Sequence, residues 1–336
     1  MSKINIREFA RQLNLSVSTV SKALRDSHEI SHETKQKVLA LASQLNYTPN
    51  AYASSLRNKK SKTIAVVLPE VADSFFSLAI NGIQSVAEEK GYHVLIYLSH
   101  EKFLNERNIL EEFQSGRVDG VLISVSGETN TADHIKKLQS HNIPVIFFDR
   151  DFENVDASSV ITNDQECGYE ATNLLLKKGC KRPIFISISP TLSICKRRLD
   201  GFKDALKDAG IIVKETDILD CSGTDKANYE KIKTILQKKN GPDGIVASAE
   251  RIATSVYVAC HELKIKIPND LRIVAFSTLE AASILDPPLT TITQPAFETG
   301  RTAARLLFLG MEKENLEGKN ERIVVPSVLI ERESTR

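Results

Sequence analysis

The chain has 336 residues, 41% of them hydrophobic and 26% charged, with a formal net charge of +1. That length calls for two or three domains, and no apolar run approaches the roughly 20 residues that a bilayer-spanning helix requires. The small net charge hides an asymmetry, because residues 1–62 hold 11 Lys and Arg against 4 Asp and Glu (net +7) and the remainder 33 against 39 (net −6). A basic head on an acidic body points to a head that meets a polyanion.

The first residues, MSKINIREFARQL, lack the apolar core of a signal peptide, so a cytoplasmic protein is expected. The cysteines agree: Cys167, Cys180, Cys195, Cys221 and Cys260 are odd in number and form no CxxC. Free thiols are expected, with no zinc site, no other metal and no cofactor.

Residues 1–47 carry three helix signatures. In the first, Asn5 can cap, Glu8 stands three residues later, and Ile6, Phe9, Ala10 and Leu13 follow at helical spacing. Asn14 sits at a helix end, where a left-handed backbone is needed and Asn tolerates it. In the second, Ser16 caps a helix from Val17 to about Arg25. In the third, Ser31 caps, and Val38, Leu41, Ala42 and Leu45 form the buried stripe. The connection between the first two is about three residues, the helix-turn-helix spacing. On the second helix Val20, Ala23 and Leu24 can face inward. Val17, Ser18, Ser21, Lys22 and Arg25 share the other face, which has small hydroxyls and cations but no acid, and suits a major groove.

Residues 48–62 are polar and rich in small residues, with a basic end. From Thr63 the texture changes. Apolar runs at 63–69, 93–98, 119–125 and 144–149 alternate with helices at about 73–90, 102–115 and 131–140. A second series has strands at 182–189, 216–221, 244–248 and 271–277, with helices at about 195–209, 226–239 and 251–263. Two such series mean two parallel-sheet lobes. Ligands of such sheets bind beyond the carboxyl ends of the strands, so the cleft between the lobes is the default site.

Several stretches together resemble the lactose-repressor (LacI/GalR) family. In the head and hinge they are VSTVSKAL (17–24), ISHETKQKVLALASQLNYTPN (30–50) and AYASSL (51–56). In the body they are FF (75–76), GY (91–92), DGVLI (119–123), FDR (148–150), RLDGF (198–202), IPNDLRIVAF (267–276), PPLTTITQP (287–295), GRTAARLL (300–307) and IERES (330–334). The resemblance covers nearly the whole chain. It implies an N-terminal all-α helix-turn-helix DNA-binding domain (1–48), a hinge helix and linker (49–62), and a two-lobed α/β effector domain (63–336). The last resembles a type I periplasmic sugar-binding protein with three crossovers, which places lobe one at about 63–162 and 293–325 and lobe two at about 163–292 and 326–336. The family's members are dimers or tetramers that bind palindromic operator DNA. No long leucine-heptad tail follows IERES, so a homodimer is expected.

Residue by residue, the resemblance assigns base reading to Val17, Ser18 and Lys22. Many members carry Arg in place of Lys22; Lys can also donate to guanine but lacks the planar fork. Ser16, Thr19, Ser21, Ser31, Thr34, Tyr47 and Asn50 can donate to phosphates, and for the Ser and Thr residues helix capping is the alternative, compatible with it. In the hinge, Ala53 and Leu56 match residues that enter the minor groove. So short a helix is unstable alone and should order only when paired on DNA. Leu56 then acts as a wedge that bends the duplex; its alternative is packing on the body. Ser54 and Ser55 depart from the single basic residue that many members have there.

For the effector site the resemblance points to Asp73, Phe75, Phe76, Asp149, Arg198, Glu250 and Ser277. An aromatic face suits a sugar or a planar ring, and a charged pair such as Asp149 and Arg198 can orient hydroxyls or a carboxylate. The alternatives are an interlobe salt bridge for Arg198, a loop cap for Asp149 and a core position for Phe75. Ala249-Glu250 and Ser277 depart from the Asn-Asp and Asp of many sugar-responsive members. A carbohydrate-derived effector is still the first expectation, with purines, phosphosugars or a protein corepressor as alternatives. An exported binding protein would need a signal peptide and no basic head. A Rossmann-type enzyme would need a Gly-rich turn after the first strand, but residues 68–76 have no glycine, and the chain has no GxSxG or P-loop. The expected function is therefore a non-enzymatic, effector-controlled transcriptional regulator, in particular a repressor.

Overall fold

The structure, a computed structural model, describes residues 5–45, 47, 60–152, 155–312 and 320–336. The chain divides after residue 61 into two compact units.

The first unit is helical. Helix α1 (Ile6–Gln12) is capped by Asn5, whose side chain accepts from the Glu8 amide at 2.9 Å. Asn14 takes a left-handed φ of 51° and ends the turn. Helix α2 (Val17–Leu24) is capped by Ser16 and α3 (His32–Gln44) by Ser31. Phe9, Ala10, Val20, Ala23 and Val38 form the buried centre, with Leu24, Leu41, Ala42, Leu45 and Tyr47 partly buried against it. Tyr47 stacks on Phe9 at 4.7 Å between ring centroids.

The second unit holds two six-stranded sheets. Sheet one has the order β11-β5-β4-β3-β1-β2, all parallel. Its strands are β1 (Thr63–Leu68), β2 (His93–Leu98), β3 (Gly120–Ile123), β4 (Val145–Phe148), β5 (Ser159–Thr162) and β11 (Arg322–Val325). Sheet two has the order β12-β10-β9-β8-β6-β7, parallel except for β12. Its strands are β6 (Pro183–Ser187), β7 (Ile218–Asp220), β8 (Gly244–Ala247), β9 (Arg272–Phe276), β10 (Thr290–Thr293) and β12 (Val328–Ile330). The central strands are buried on both faces, as continuous β-branched runs in parallel sheets must be. The strand expected at 216–221 is only three residues long. A single 3-10 turn precedes it, fixed by the Asp217 carboxylate accepting from the Lys214 amide at 2.8 Å.

Helices α4 (Ser74–Glu89), α5 (Phe103–Phe113), α6 (Asp133–Gln139) and α11 (Ala296–Glu312) belong to the first sheet, and α7 (Asp164–Lys177), α8 (Ser193–Asp208), α9 (Asp225–Leu236) and α10 (Glu250–Leu263) to the second. Each lobe has one helix pair in backbone contact through glycines. A Cβ on Gly82 or Gly300 would stand 2.0 Å from a carbonyl oxygen of the facing helix, and one on Gly168 or Gly201 would stand 2.2 or 1.9 Å from one. Only hydrogen fits there. The chain passes between the lobes three times: from β5 to α7, from β10 to α11 and from β11 to β12. Asn163 on the first crossing accepts from the Ser327 amide on the third at 2.8 Å.

Candidate nucleic-acid interface and effector cleft

In the head, the two caps are local devices. Ser16 Oγ accepts from the Thr19 amide at 3.0 Å and meets Thr19 Oγ1 at 2.8 Å. Ser31 and Thr34 repeat the arrangement at 3.3 and 2.9 Å. Val17 and Ser18 are exposed at the start of α2, and Ser21 and Lys22 are half-buried on the same helix. Arg25 folds back, donating through Nε to Ser21 O and through Nη2 to Ser21 Oγ, each at 3.1 Å. The Lys22 ammonium is bound by the carboxylate of Glu29, a residue that sequence reasoning did not single out. That bond holds the Glu29 carboxyl below its ordinary range. Tyr47 is partly buried against Phe9, while Asn50, Ala53 and Leu56 lie outside the described residues.

All seven residues expected at the effector site line one cavity in the second unit. Strand ends explain the convergence. Asp73 follows β1, Asp149 follows β4, Glu250 follows β8 and Ser277 follows β9, while Arg198 comes from the second turn of α8. These are carboxyl ends of parallel strands, where the backbone leaves the sheet and side chains from both lobes meet.

Arg198 is buried, donating through Nε to Asp164 Oδ1 at 2.7 Å and through Nη1 to Ser248 O at 2.6 Å. Its guanidinium lies 4.1 Å from the Phe276 ring centroid. Nη2 has no hydrogen-bond partner among the described residues. Asp149 and Arg198, the two charged groups expected to face a ligand, both line the cavity, and the arginine's own ion pair is with Asp164 at the start of α7. The nearest cation to Asp149 is its neighbour Arg150, at 3.7 Å. Arg150 is in turn held by Glu101 at 2.9 and 3.0 Å.

Burial pushes the Asp149 carboxyl up to about 7, against the pull of Arg150 and Arg198. Burial, and then the Glu250 charge, raise Asp73 to about 6. Asp73 also caps α4, accepting from the Phe75 amide at 2.9 Å. Phe75 and Phe76 are buried and meet edge to face at 5.6 Å, so their rings are wall as much as contact surface.

Glu250 closes the cleft. Its carboxylate accepts from the Ser74 amide at 2.9 Å, from the Ser74 hydroxyl and from Ser277 Oγ at 3.1 Å. Ser74 belongs to α4 of lobe one and Glu250 and Ser277 to lobe two, so the carboxylate ties one lobe to the other. Thr191 Oγ1 of lobe two also donates to Gly127 O of lobe one, at 2.9 Å. The free space left at the centre is about 30 Å³, which is water-sized. Arg150, Thr278 and Gln294 also line the cavity and were not picked out as site residues. Arg150 and Gln294 lie within the FDR and PPLTTITQP stretches, and that was the available signal.

Residues 5–50 match the bacterial regulatory proteins of the lacI family. Residues 61–331 match the periplasmic binding proteins and sugar binding domain of the LacI family. The chain belongs to the LacI family of transcriptional regulators. It is 31% identical over 333 residues to the HTH-type transcriptional regulator RegA of Clostridium saccharobutylicum, covering 98% of this chain and 99% of that one. It is 30% identical over 335 residues to the ribose operon repressor of Halalkalibacterium halodurans, covering 98% and 97%. The crystal structure of the lac repressor dimer bound to operator and the anti-inducer ONPF shares the fold, with a TM-score of 0.82 at 20% identity over 99% of both chains. Among the described residues no helix is long and apolar enough to cross a membrane.

Proposed function

We propose that this regulator is a cytoplasmic, homodimeric repressor without enzymatic activity. It binds a palindromic operator, and a small carbohydrate-derived effector held between the lobes controls its affinity. The observation that carries the reading is the convergence of Asp73, Phe75, Phe76, Asp149, Arg198, Glu250 and Ser277 from four strand ends and from helices α4 and α8 onto a single cleft. Buried carboxylates, an arginine with an unpaired nitrogen and aromatic walls are the chemistry that orients sugar hydroxyls. The family description as a sugar binding domain and the relative named as a ribose operon repressor support the same class of effector.

In the head, Val17, Ser18 and Lys22 read bases, while Ser16, Thr19, Ser21, Ser31, Thr34, Tyr47 and Asn50 hold phosphates. Ala53 and Leu56 of the hinge enter the minor groove. A water-sized void cannot hold a sugar, so the effector enters an opened cleft, and opening breaks the Glu250–Ser74 tie. A ligand shifts this equilibrium only by its differential affinity for the two lobe arrangements.

The test starts from duplexes selected from a randomised pool with the purified protein. Affinity for the selected site is then measured with and without a panel of monosaccharides, disaccharides and their phosphates. One class should change the affinity, and calorimetry should place its binding on the body, with loss on Ser277→Ala. Failure to enrich any duplex would overturn the DNA reading, and binding unaffected by Ser277→Ala would move the effector elsewhere.

A further inference from the structure

The exposed face of α2 carries a charge arrangement that its sequence alone does not display. Lys22 is bound by Glu29, and Glu29 is not on α2. It sits in the turn that joins α2 to α3, and that turn is built to hold it. Asp26 is left-handed at a φ of 55°. The Ser27 amide donates to Lys22 O at 3.0 Å and the Ile30 amide to Ser27 O at 3.2 Å. The Glu29 amide reaches Ser27 Oγ at 3.4 Å. From α3, Lys35 clamps Asp26 through the carbonyl oxygen at 3.3 Å and the carboxylate at 2.7 Å. The turn is thus tied to both helices.

Stability does not account for the pair. The two side chains are 35% and 52% exposed, and ion pairs so exposed contribute little to folding. For phosphate binding an acid at this place is a handicap, since it cancels the Lys22 charge and repels the DNA backbone. It becomes favourable only where the DNA offers a donor. In the major groove guanine presents the O6 and N7 acceptors, and its paired cytosine presents the N4 amine as a donor. An ammonium beside a carboxylate is the complement of that edge.

We propose that Lys22 and Glu29 form one reading unit for a G·C pair, with Glu29 as a specificity-determining residue. Lys22 donates to the guanine. Glu29 holds the ammonium in place, accepts from the cytosine amine, and removes the charge that would make Lys22 a general phosphate binder. The inference rests on the reading of α2 as the helix that enters the major groove.

The experiment uses the full-length protein and a duplex selected with the wild type from a randomised pool. Binding is measured to that duplex, to each of its single base-pair variants and to a scrambled duplex, for the wild type, Lys22→Ala, Glu29→Gln and Glu29→Asp. Glu29→Gln should tighten binding to the scrambled duplex by roughly fivefold per protomer, the effect of one more neutralised phosphate at physiological salt. It should also lose a preference of roughly 5- to 150-fold at one G·C pair per half-site. Lys22→Ala should lose its preference at that same pair. Glu29→Asp keeps the charge but draws it back by one methylene, so scrambled-duplex binding should stay at the wild-type level while discrimination falls. Full wild-type preference in Glu29→Gln, or a loss at a pair other than the one Lys22→Ala affects, overturns the proposal. Unchanged preferences in Lys22→Ala would instead show that the base-reading role of α2 fails at its source.

Discussion

Arg198 shows how one side chain serves both structure and a site. Its bond to the fully buried Asp164 leaves Nη2 without a partner among the described residues, and it makes Arg198→Ala a structural change. Removing one partner of a buried pair strands the other charge and costs about 3–5 kcal/mol. We expect urea unfolding to register that loss. The double replacement of Arg198 and Asp164 by Met and Asn should recover part of it without restoring effector binding. The buried carboxyls add a pH signature. Asp149 at about 7 and Asp73 at about 6 hold their protons more tightly in the native state than in the unfolded chain. Their contribution to stability is therefore complete below pH 4 and lost as the pH rises toward 7. Relative to wild type, Asp149→Asn should be more stable at pH 8 than at pH 5. Melting curves with parallel pH dependence in both proteins would contradict the buried carboxyl. On the DNA side, Lys22→Ala should lower specific affinity by about 1–3 kcal/mol in a mobility assay, with effector binding unchanged.

At the scale of elements, the glycine contacts carry the clearest consequence. Gly168 faces the Arg198 carbonyl, and a methyl group there would approach within 2.2 Å of it. Gly168→Ala must push α7 from α8 and should cost about 1–3 kcal/mol. Because α8 carries Arg198 into the cleft, effector affinity should fall as well. Gly300→Ala, the matching change in lobe one, should destabilise the fold while leaving Arg198 in place. Calorimetry on the two variants separates these effects.

The same scale shows what was legible in the sequence. Asn5, Ser16 and Ser31 cap the helices that follow them because capping spans three residues, and a short window contains its whole cause. The central parallel strands were equally plain, since burial on both faces leaves an uninterrupted apolar run, whereas β5, β10 and β11, only four residues each and interrupted by Ser, Thr or Arg, did not read as strands. Asp73, Asp149, Glu250 and Ser277 could be placed at strand ends, but not in their partnerships. Glu250 meets a serine 176 residues away, and Arg198 takes Asp164 in preference to Asp149. Those choices depend on how the lobes close and on which carboxylate the crossing delivers. Glu29 was missed for a related reason: it is adjacent to Lys22 only because the turn after α2 reverses the chain.

On the whole molecule, the charge asymmetry predicts a steep salt response. Log affinity for the operator should fall linearly with log salt, with a slope near −0.9 for each phosphate neutralised. A flat response between low and moderate salt would falsify the phosphate contacts proposed for the head. The three passages between lobes bear on a different matter, the order in which ribosomal synthesis delivers the parts. The head is complete within the first 61 residues, but neither lobe is finished until the end. Sheet one waits for β11, and sheet two waits for β12 and for Ser334, whose hydroxyl donates to Ile273 O at 2.7 Å. A nonsense mutation as late as codon 315 therefore leaves both lobes unfinished while the head is intact. Such a product should be degraded rapidly or keep only weak, effector-blind DNA binding, and a late stop should be as damaging to regulation as an early one in the body.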